Sequence, residues 1–400
     1  MISTTDSHYY ELYTKFGDVP YTTKVLSIKE SMSIARTAKA TVIANVLADL
    51  DEVINGNYLP TSYDADNKGR ITRWAAMAIK AKIYLFEGNW TQVKNITSTI
   101  MTEGGFKLFG SYAGLFEIAN EYNSEVILDA QYRPTSREHQ MMYVFLPPTL
   151  GGYSQLSPLQ ELVDSYIMLD GKTIKETGTS FDESHPYANR DPRLKATVMY
   201  TGNSYTLADG TEVVINCEKG EGKDGYGVGS DCSATGYYIK KYWDNAYRAT
   251  LYSGLNPILI RYADILLMNA EALAELGELD KTAWDATIKP IRDRAGFTLA
   301  SALEFPEGAS KDKLIEIVRN ERRSELALEG HRHKDIIRWR IADDVLNGWC
   351  HGLKTNEVVG TDNGYVRVEN RAFNANKHYL WPIPQAERDL NGNLEQNPNW

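Results

Sequence analysis

Ala263, Leu267, Ala270 and Ala274 stand at offsets 0, 4, 7 and 11, and the same offsets recur at Trp74, Ala78, Ala81, Leu85 and at Ile43, Leu47, Leu50, Ile54. At 3.6 residues per turn this spacing lines one face of a helix, so each segment must bury a stripe against another element. The stripes starting at Trp74 and Ala263 end at glycines, Gly88 and Gly277, and second stripes follow at Trp90, Val93, Ile96, Ile100 and at Trp284, Ile288, Ile291. Glycine ends a helix without steric cost, so two helical hairpins are expected, with alanines at the crossings allowing close approach.

The pairs keep no fixed period, which excludes a tandem array. From about Gln131 to Pro257 the helical spacing fades, and Gly, Pro, Asn, Asp and Tyr dominate. Two alternating runs, Ala196 to Tyr200 and Thr211 to Ile215, read as short hairpin strands around Ala208-Asp209-Gly210. Loops held on a helical scaffold are where binding surfaces are usually built.

Beyond Gly308, Lys313 to Leu328 reads as another helix, whose face Leu314, Ile317, Val318 runs on into Glu321 and Glu325. Carboxylates on a buried face need cations, and Arg261, Arg292, Arg294 and Arg338 are the candidates for a structural ion-pair network. Acid/base catalysis is the competing role. Tyr379 to Pro384 is an apolar strip whose prolines forbid a helix, so it is expected to dock back onto the body.

Charge and motifs narrow the function. Lysine and arginine number 43 against 53 aspartates and glutamates, and the net charge of −10 disfavours nucleic acid and anionic lipid. No apolar run approaches the roughly 18 residues that a spanning helix needs. Residues 1–6 lack the basic and apolar parts of a signal peptide, so the chain is expected to be cytosolic or to lack its front end. Cys217, Cys232 and Cys350 are too scattered for a disulfide framework, although Cys217 and Cys232 flank a glycine-rich stretch whose base they could bridge.

Gly225-Tyr226-Gly227-Val228-Gly229 neither follows a buried strand nor opens a helix, as a dinucleotide loop must. Asp64 to Gly69 begins like a calcium loop, but Lys68 takes a ligand position and Ala75 the closing one. His331 and His333, two apart, fall on different helix faces and make poor zinc ligands. The chain therefore reads as non-catalytic, with no metal and no cofactor. A glycoside hydrolase stays open as an alternative, because its carboxylate pair is defined only in space.

Tyrosine is the compositional outlier, with 25 residues beside 8 tryptophans. A ring with an apolar face and a polar edge suits a sugar or an interface, and also ordinary packing. In the loop region the rings crowd, and Tyr242-Trp243-Asp244-Asn245-Ala246-Tyr247-Arg248 sets them beside planar polar groups. The candidate ligand residues are Trp243 as stacking platform, then Tyr247 and Tyr252, with Asp244, Asn245 and Arg248 as hydroxyl partners, joined by Tyr226, Tyr153 and Tyr143. For Trp243, filling the gap between the loops and the Arg261 helix is the competing role.

Several strings together resemble the SusD/RagB family: Phe16-Gly17-Asp18-Val19-Pro20; Gly69-Arg70-Ile71-Thr72-Arg73-Trp74 leading to Gly88-Asn89-Trp90; Glu161 to Tyr166 with Asp170-Gly171-Lys172; and Arg190-Asp191-Pro192-Arg193-Leu194. Further along, Arg261 to Leu267 with Ala270-Glu271-Ala272, Asn320 to Leu326 with Glu329-Gly330, and Pro382-Ile383-Pro384 with Gln396-Asn397-Pro398 keep the family's order and spacing. The resemblance implies a mainly α protein, an α-α superhelix of tetratricopeptide-like hairpins with a loop-rich face and a few short β-hairpins. It implies residues 1–118 as the remainder of an N-terminal helical region and 119–400 as the SusD/RagB domain, in one compact unit, with Arg261, Asp264, Glu271, Glu321 and Glu325 holding helices together.

Functionally it implies a glycan-binding protein at the bacterial surface that serves a SusC-type TonB-dependent outer-membrane transporter. Attachment would be through an N-terminal lipid that this sequence does not contain, which suggests an N-terminally truncated member. A tetratricopeptide-type scaffold for peptides is the remaining alternative.

Overall fold

The computed structural model describes residues 2–400, with side chains from residue 7 onward. In chain order the elements are α1 (Ile2–Phe16), the single turn α2 (Ile28–Ser31), α3 (Lys39–Asn55), α4 (Arg73–Phe86) and α5 (Trp90–Glu103), followed by β1 (Val126–Asp129), α6 (Met141–Phe145), α7 (Gln160–Ser165) and α8 (Pro192–Thr197). Four short strands come next, β2 (Val198–Met199), β3 (Ser204–Thr206), β4 (Glu212–Val214) and β5 (Tyr238–Ile239), then β6 (Ile258–Arg261). The chain returns to helix in α9 (Tyr262–Leu276), α10 (Lys281–Ala295), α11 (Ala300–Leu303), α12 (Lys311–Glu325), α13 (Arg332–Arg338) and α14 (Ala342–Val345). It closes with the ribbon β7 (Gly348–Lys354), β8 (Thr361–Asp362), β9 (Tyr365–Arg371) and with α15 (Gln385–Leu390).

The chain divides into two compact units. The first comprises the chain up to Gly104 with Arg332–Asn347 and Ala372–Trp400. Here the expected stripe of α4 is buried throughout, at Trp74, Ala78, Ala81 and Leu85. In α3 the expected Leu50 and Ile54 are buried, but the rest of the buried face is Val42, Val46 and Val53, and the expected Ile43 and Leu47 are only half-buried. Thr72 and Asn89 accept hydrogen bonds from the first-turn N–H groups of α4 and α5, which satisfies donors that no helix can pair internally. The apolar strip docks as expected: Trp381 N–H donates to the Lys15 carbonyl at 2.7 Å. Arg36 ties the same end, donating to the carbonyls of Asp18 and Glu395, each at 2.8 Å, and to Asn397 Oδ1 at 2.6 Å.

The second unit comprises Gly105–His331 and Gly348–Arg371. The α9 to α10 hairpin turns at Gly277, whose φ of 73° is the left-handed conformation that ends a helix. Ala263, Leu267, Ala270 and Ala274 are buried, as are Trp284, Ile288 and Ile291 on α10. Residues 196–200 are not one strand: α8 runs to Thr197, and β2 pairs with β5. The hairpin around Gly210 joins β3 to β4. Pro192 opening a helix, with Asp191 capping it, explains the difference, because proline is well suited to a first turn.

Helix α12 stops at Glu325, short of the expected Leu328, which takes a left-handed φ of 64°. Glu321 and Glu325 are buried with arginines around them. Glu325 meets Arg193 at 2.9 Å and Arg261 at 2.6 Å, and also Arg294; Glu321 meets Arg193 at 2.7 Å and Arg292 at 2.8 Å. Arg338 is not part of this network and pairs with Asp335 at 2.9 Å. Arg193, absent from the sequence candidates, takes its place. Glu125 and Glu329 extend the network to Arg261 at 2.7 Å each, and Lys241 joins Glu329 at 2.6 Å. Cys217 and Cys232, which flank the glycine-rich stretch and could have bridged its base, carry free thiols, and the Cys232 thiol donates to the Lys223 carbonyl at 3.2 Å.

Candidate functional site

The loops of the second unit stand on this ion-pair network. Lys241 donates to the Ala327 carbonyl at 2.8 Å and Tyr242 to the Leu328 carbonyl at 3.0 Å, so residues 241 and 242 are fastened to the end of α12. The adjoining core contains Tyr205, Tyr237, Tyr238 and Tyr247 together with Leu146, Leu150 and Leu251. Much of the loop region's aromatic density is therefore core.

Three tyrosines are brought together on the loops. Tyr143 lies on α6, and the chain returns beside it through Gly151 and Gly152, with Tyr153 N–H donating to the Tyr143 carbonyl at 2.9 Å and Gln155 N–H to the Val144 carbonyl at 2.8 Å. Gly152 is required there: a Cβ at this position would lie 2.1 Å from the Leu146 carbonyl oxygen. The Tyr143 and Tyr153 rings sit 4.4 Å apart at 42°. Tyr252 joins them through a bridge in which His139 and Ser253 exchange backbone hydrogen bonds of 2.8 and 2.9 Å. A hydrogen bond with Tyr153, followed by burial and the neighbouring Tyr153, Tyr252 and Asp231, raises the Tyr143 phenol to about 12.

Tyr153 and Tyr252 are 40% and 43% exposed, large for rings in fixed conformations, and the backbone beneath them is unusual. Ser154 and Leu251 hold φ values of 41° and 58°, a conformation that costs non-glycine residues free energy and often marks functional sites.

The other sequence candidates are placed differently. Trp243 is half-buried, its ring 5.1 Å from Tyr205, and its Nε1–H donates to the Thr206 carbonyl at 3.1 Å, as does the Asn245 amide at 2.9 Å. Asp244 is buried and accepts the N–H groups of Ile118 and Ala246 at 2.8 Å each, which occupies its carboxylate with backbone. Tyr247 is buried, Tyr226 half-buried against the core, and Arg248 Nε is buried without a hydrogen bond among the described residues. Trp243 thus packs beside β3, while Tyr153 and Tyr252 are the exposed rings and the half-buried Tyr143 backs Tyr153. The only local signal for that grouping is the Gly151-Gly152 pair, which allows the chain to double back.

Carboxylates with raised pKa values lie nearby at Glu121 and Asp129, where burial is the main cause. Their oxygens are already engaged: Asn256 N–H donates to Glu121 at 2.6 Å, and the amides of Asn256 and Gln131 donate to Asp129 at 3.1 and 2.6 Å. They hold the 121–131 segment to the 256 loop. Among the described residues no group of three or more His, Cys, Asp or Glu side chains could hold a metal ion.

The fold recurs in known proteins. A family model described as the SusD family matches residues 115–400, and one described as "Starch-binding associating with outer membrane" matches residues 6–85. SusD-like protein P25 of Formosa agariphila is 28% identical over 362 residues, 84% of this chain and 62% of the relative. SusD-like protein P2 of the same organism is 27% identical over 398 residues, covering 97% of this chain and 71% of the relative. The crystal structure of a SusD-like carbohydrate binding protein from Bacteroides fragilis superposes with a TM-score of 0.87 at 29% identity, covering 98% of this chain and 78% of that one. This chain therefore spans less than two thirds of the length of P25. Its helical hairpins are of the tetratricopeptide-like kind found in SusD-like structures, and with a family match reaching from residue 115 to its last residue, the chain belongs to the SusD family.

Proposed function

We propose that this chain binds a glycan without cleaving it, that the sugar stacks on Tyr143, Tyr153 and Tyr252, and that the whole protein works at the outer-membrane surface beside a SusC-type transporter. The observation that carries the reading is the pair of exposed rings Tyr153 and Tyr252, with the half-buried Tyr143 ring 4.4 Å from Tyr153 between centroids. Sugar rings present C–H faces that pack on aromatic planes, and their hydroxyls need polar groups at the edge, which the phenols supply. The carbohydrate binding named for the B. fragilis structure supports the ligand class, and the outer-membrane association in the second family description supports the location. In this reading Trp243 and Tyr247 belong to the core against which Tyr143 also packs.

Affinity electrophoresis in gels containing starch or laminarin tests it, with a glycan array to widen the panel. Retardation of the wild type that Tyr153→Ala reduces at unchanged melting temperature is expected. Sustained release of oligosaccharides would instead establish a hydrolase, and binding of peptides with no glycan retained would establish a peptide scaffold.

A further inference from the structure

Two adjoining hollows on the second unit share Pro186, Tyr187 and Lys354. One, of about 250 Å³, adds Gln160, Phe181 and Tyr365; the other, of about 480 Å³, adds His185, Tyr200 and Glu218. Neither contains Tyr143, Tyr153 or Tyr252. We infer that these hollows form a second carbohydrate-binding groove, which takes consecutive sugar residues on either side of the Lys354 side chain.

The aromatic part of the groove is preformed. Tyr187 and Tyr200 stack at 3.9 Å and 17°, and the Tyr187 hydroxyl lies 3.2 Å from that of Tyr237, which donates to Gln160 Oε1 at 2.5 Å. Gln160 in turn donates to Asp164 at 2.7 Å. Arg190 fixes the loop by donating to the carbonyls of Pro186, Val163 and Tyr166, each at 2.7 Å. A ring held by such a chain loses little freedom when a ligand arrives, and preorganisation of this kind raises affinity.

The opposite wall is fastened as well. His351 on β7 lies 2.7 Å from Glu161 on α7 and 3.0 Å from Asp362 on β8, so the ribbon carrying Lys354 and Tyr365 is tied to the helix that carries Gln160.

The polar groups define the ligand class. Lys354 pairs with Glu183 at 2.9 Å, and both side chains are largely exposed, at 44% and 72%. Glu218 and Glu183 accept hydrogen bonds, while Lys354 donates. Acids and bases of both kinds line the groove, so it has no strong demand for a charged ligand. Hydroxyl groups, which donate and accept at once, match such a lining, and the aromatic faces match sugar C–H groups. The inference relies on the glycan reading above only for ligand class, since the two sites share no residue.

The test is 19F NMR of the full chain labelled with 3-fluorotyrosine, its resonances assigned through single Tyr→Phe variants and titrated with maltotetraose and laminaritetraose. Shifts at Tyr187 and Tyr200 that saturate are expected. Lys354→Ala should weaken the saturation at Tyr200 by roughly tenfold, the usual scale for a lost hydrogen bond to a charged group, and leave any shift at Tyr153 unchanged. Shifts confined to Tyr143, Tyr153 and Tyr252 would overturn the second groove and leave the first site standing. An absence of shifts at every tyrosine would overturn both.

Discussion

Arg193 reaches 132 residues along the chain to donate from Nη1 to Glu325 Oε2 at 2.9 Å, with both side chains essentially sealed from water. The same guanidinium holds Asp191 and Glu321, so one cation joins the start of α8 to two turns of α12. Removing one partner of such a cluster leaves a buried charge uncompensated.

Glu325→Ala is therefore expected to lower stability by about 3–5 kcal/mol, because it strips a partner from Arg193, Arg261 and Arg294 together. Thermal or denaturant unfolding measures the loss. A melting temperature equal to wild type, with glycan binding abolished, would show that the carboxylate serves a ligand instead.

Acid should unfold the second unit through the same cluster. Burial pushes the Glu329 carboxyl up, but Arg261 and Lys241 outweigh it and hold the group at about 2, against an ordinary 4.5. A depressed carboxyl contributes stability that is complete above the unfolded value and lost as pH falls from 4.5 through about 2. Glu329→Gln should flatten the dependence of melting temperature on pH across that window, and an unaltered slope would remove Glu329 from the explanation.

His351 titrates in the opposite sense. Burial pulls the imidazole down, but hydrogen bonds to Asp362 and Glu161, and their charges, hold it above its ordinary 6.5. Arg367, which pairs with Asp362, is the cation facing this cluster. A raised imidazole contributes stability that is complete below 6.5 and lost as pH rises through its folded value. The His351 ring protons in an NMR titration should report a midpoint above 6.5, and Asp362→Asn should bring it down; a midpoint unchanged by that variant would refute the clamp.

Tyr153→Phe should return the Tyr143 phenol from about 12 toward its ordinary 10, since the hydrogen bond with Tyr153 is the largest cause of the shift. The 13Cζ resonance of Tyr143 follows this directly.

Gly152→Ala should displace Tyr153, because a methyl 2.1 Å from the Leu146 carbonyl forces the backbone to move. The expected cost is about 1–3 kcal/mol, as for other overpacked sites, and the Tyr143 and Tyr153 rings should separate. A crystal structure of the variant with the rings unmoved would contradict this.

The helical scaffold was legible because periodicity is local. Ala263 to Ala274 and Trp284 to Ile291 declare their buried faces within one helix, and Glu321 and Glu325 declare their need for cations by sharing a face with Leu314 and Val318. Which cations answer is a long-range matter: Arg193 stands 132 residues before Glu325, on α8, while Arg338 stands close in sequence yet pairs within its own helix. The ring surface was only partly legible for the same reason. Tyr143, Tyr153 and Tyr252 were among the candidates for one face, but how they meet depends on the His139–Ser253 bridge and the Gly152 turn. Trp243 and Asp244, whose neighbours in sequence looked most like a sugar site, direct their polar atoms at backbone.

The first unit is assembled from the two ends of the chain, with residues 105–331 and 348–371 made in between. At translation rates of about 5–20 residues per second, the helices before Gly104 wait on the order of ten to forty-five seconds for Arg332 to emerge. Through that interval Arg36 lacks Glu395 and Asn397, and Lys15 lacks Trp381. The nascent chain therefore carries a half-built helical layer while the second unit is completed, and residues 372–400, made after it, are the ones that close the first.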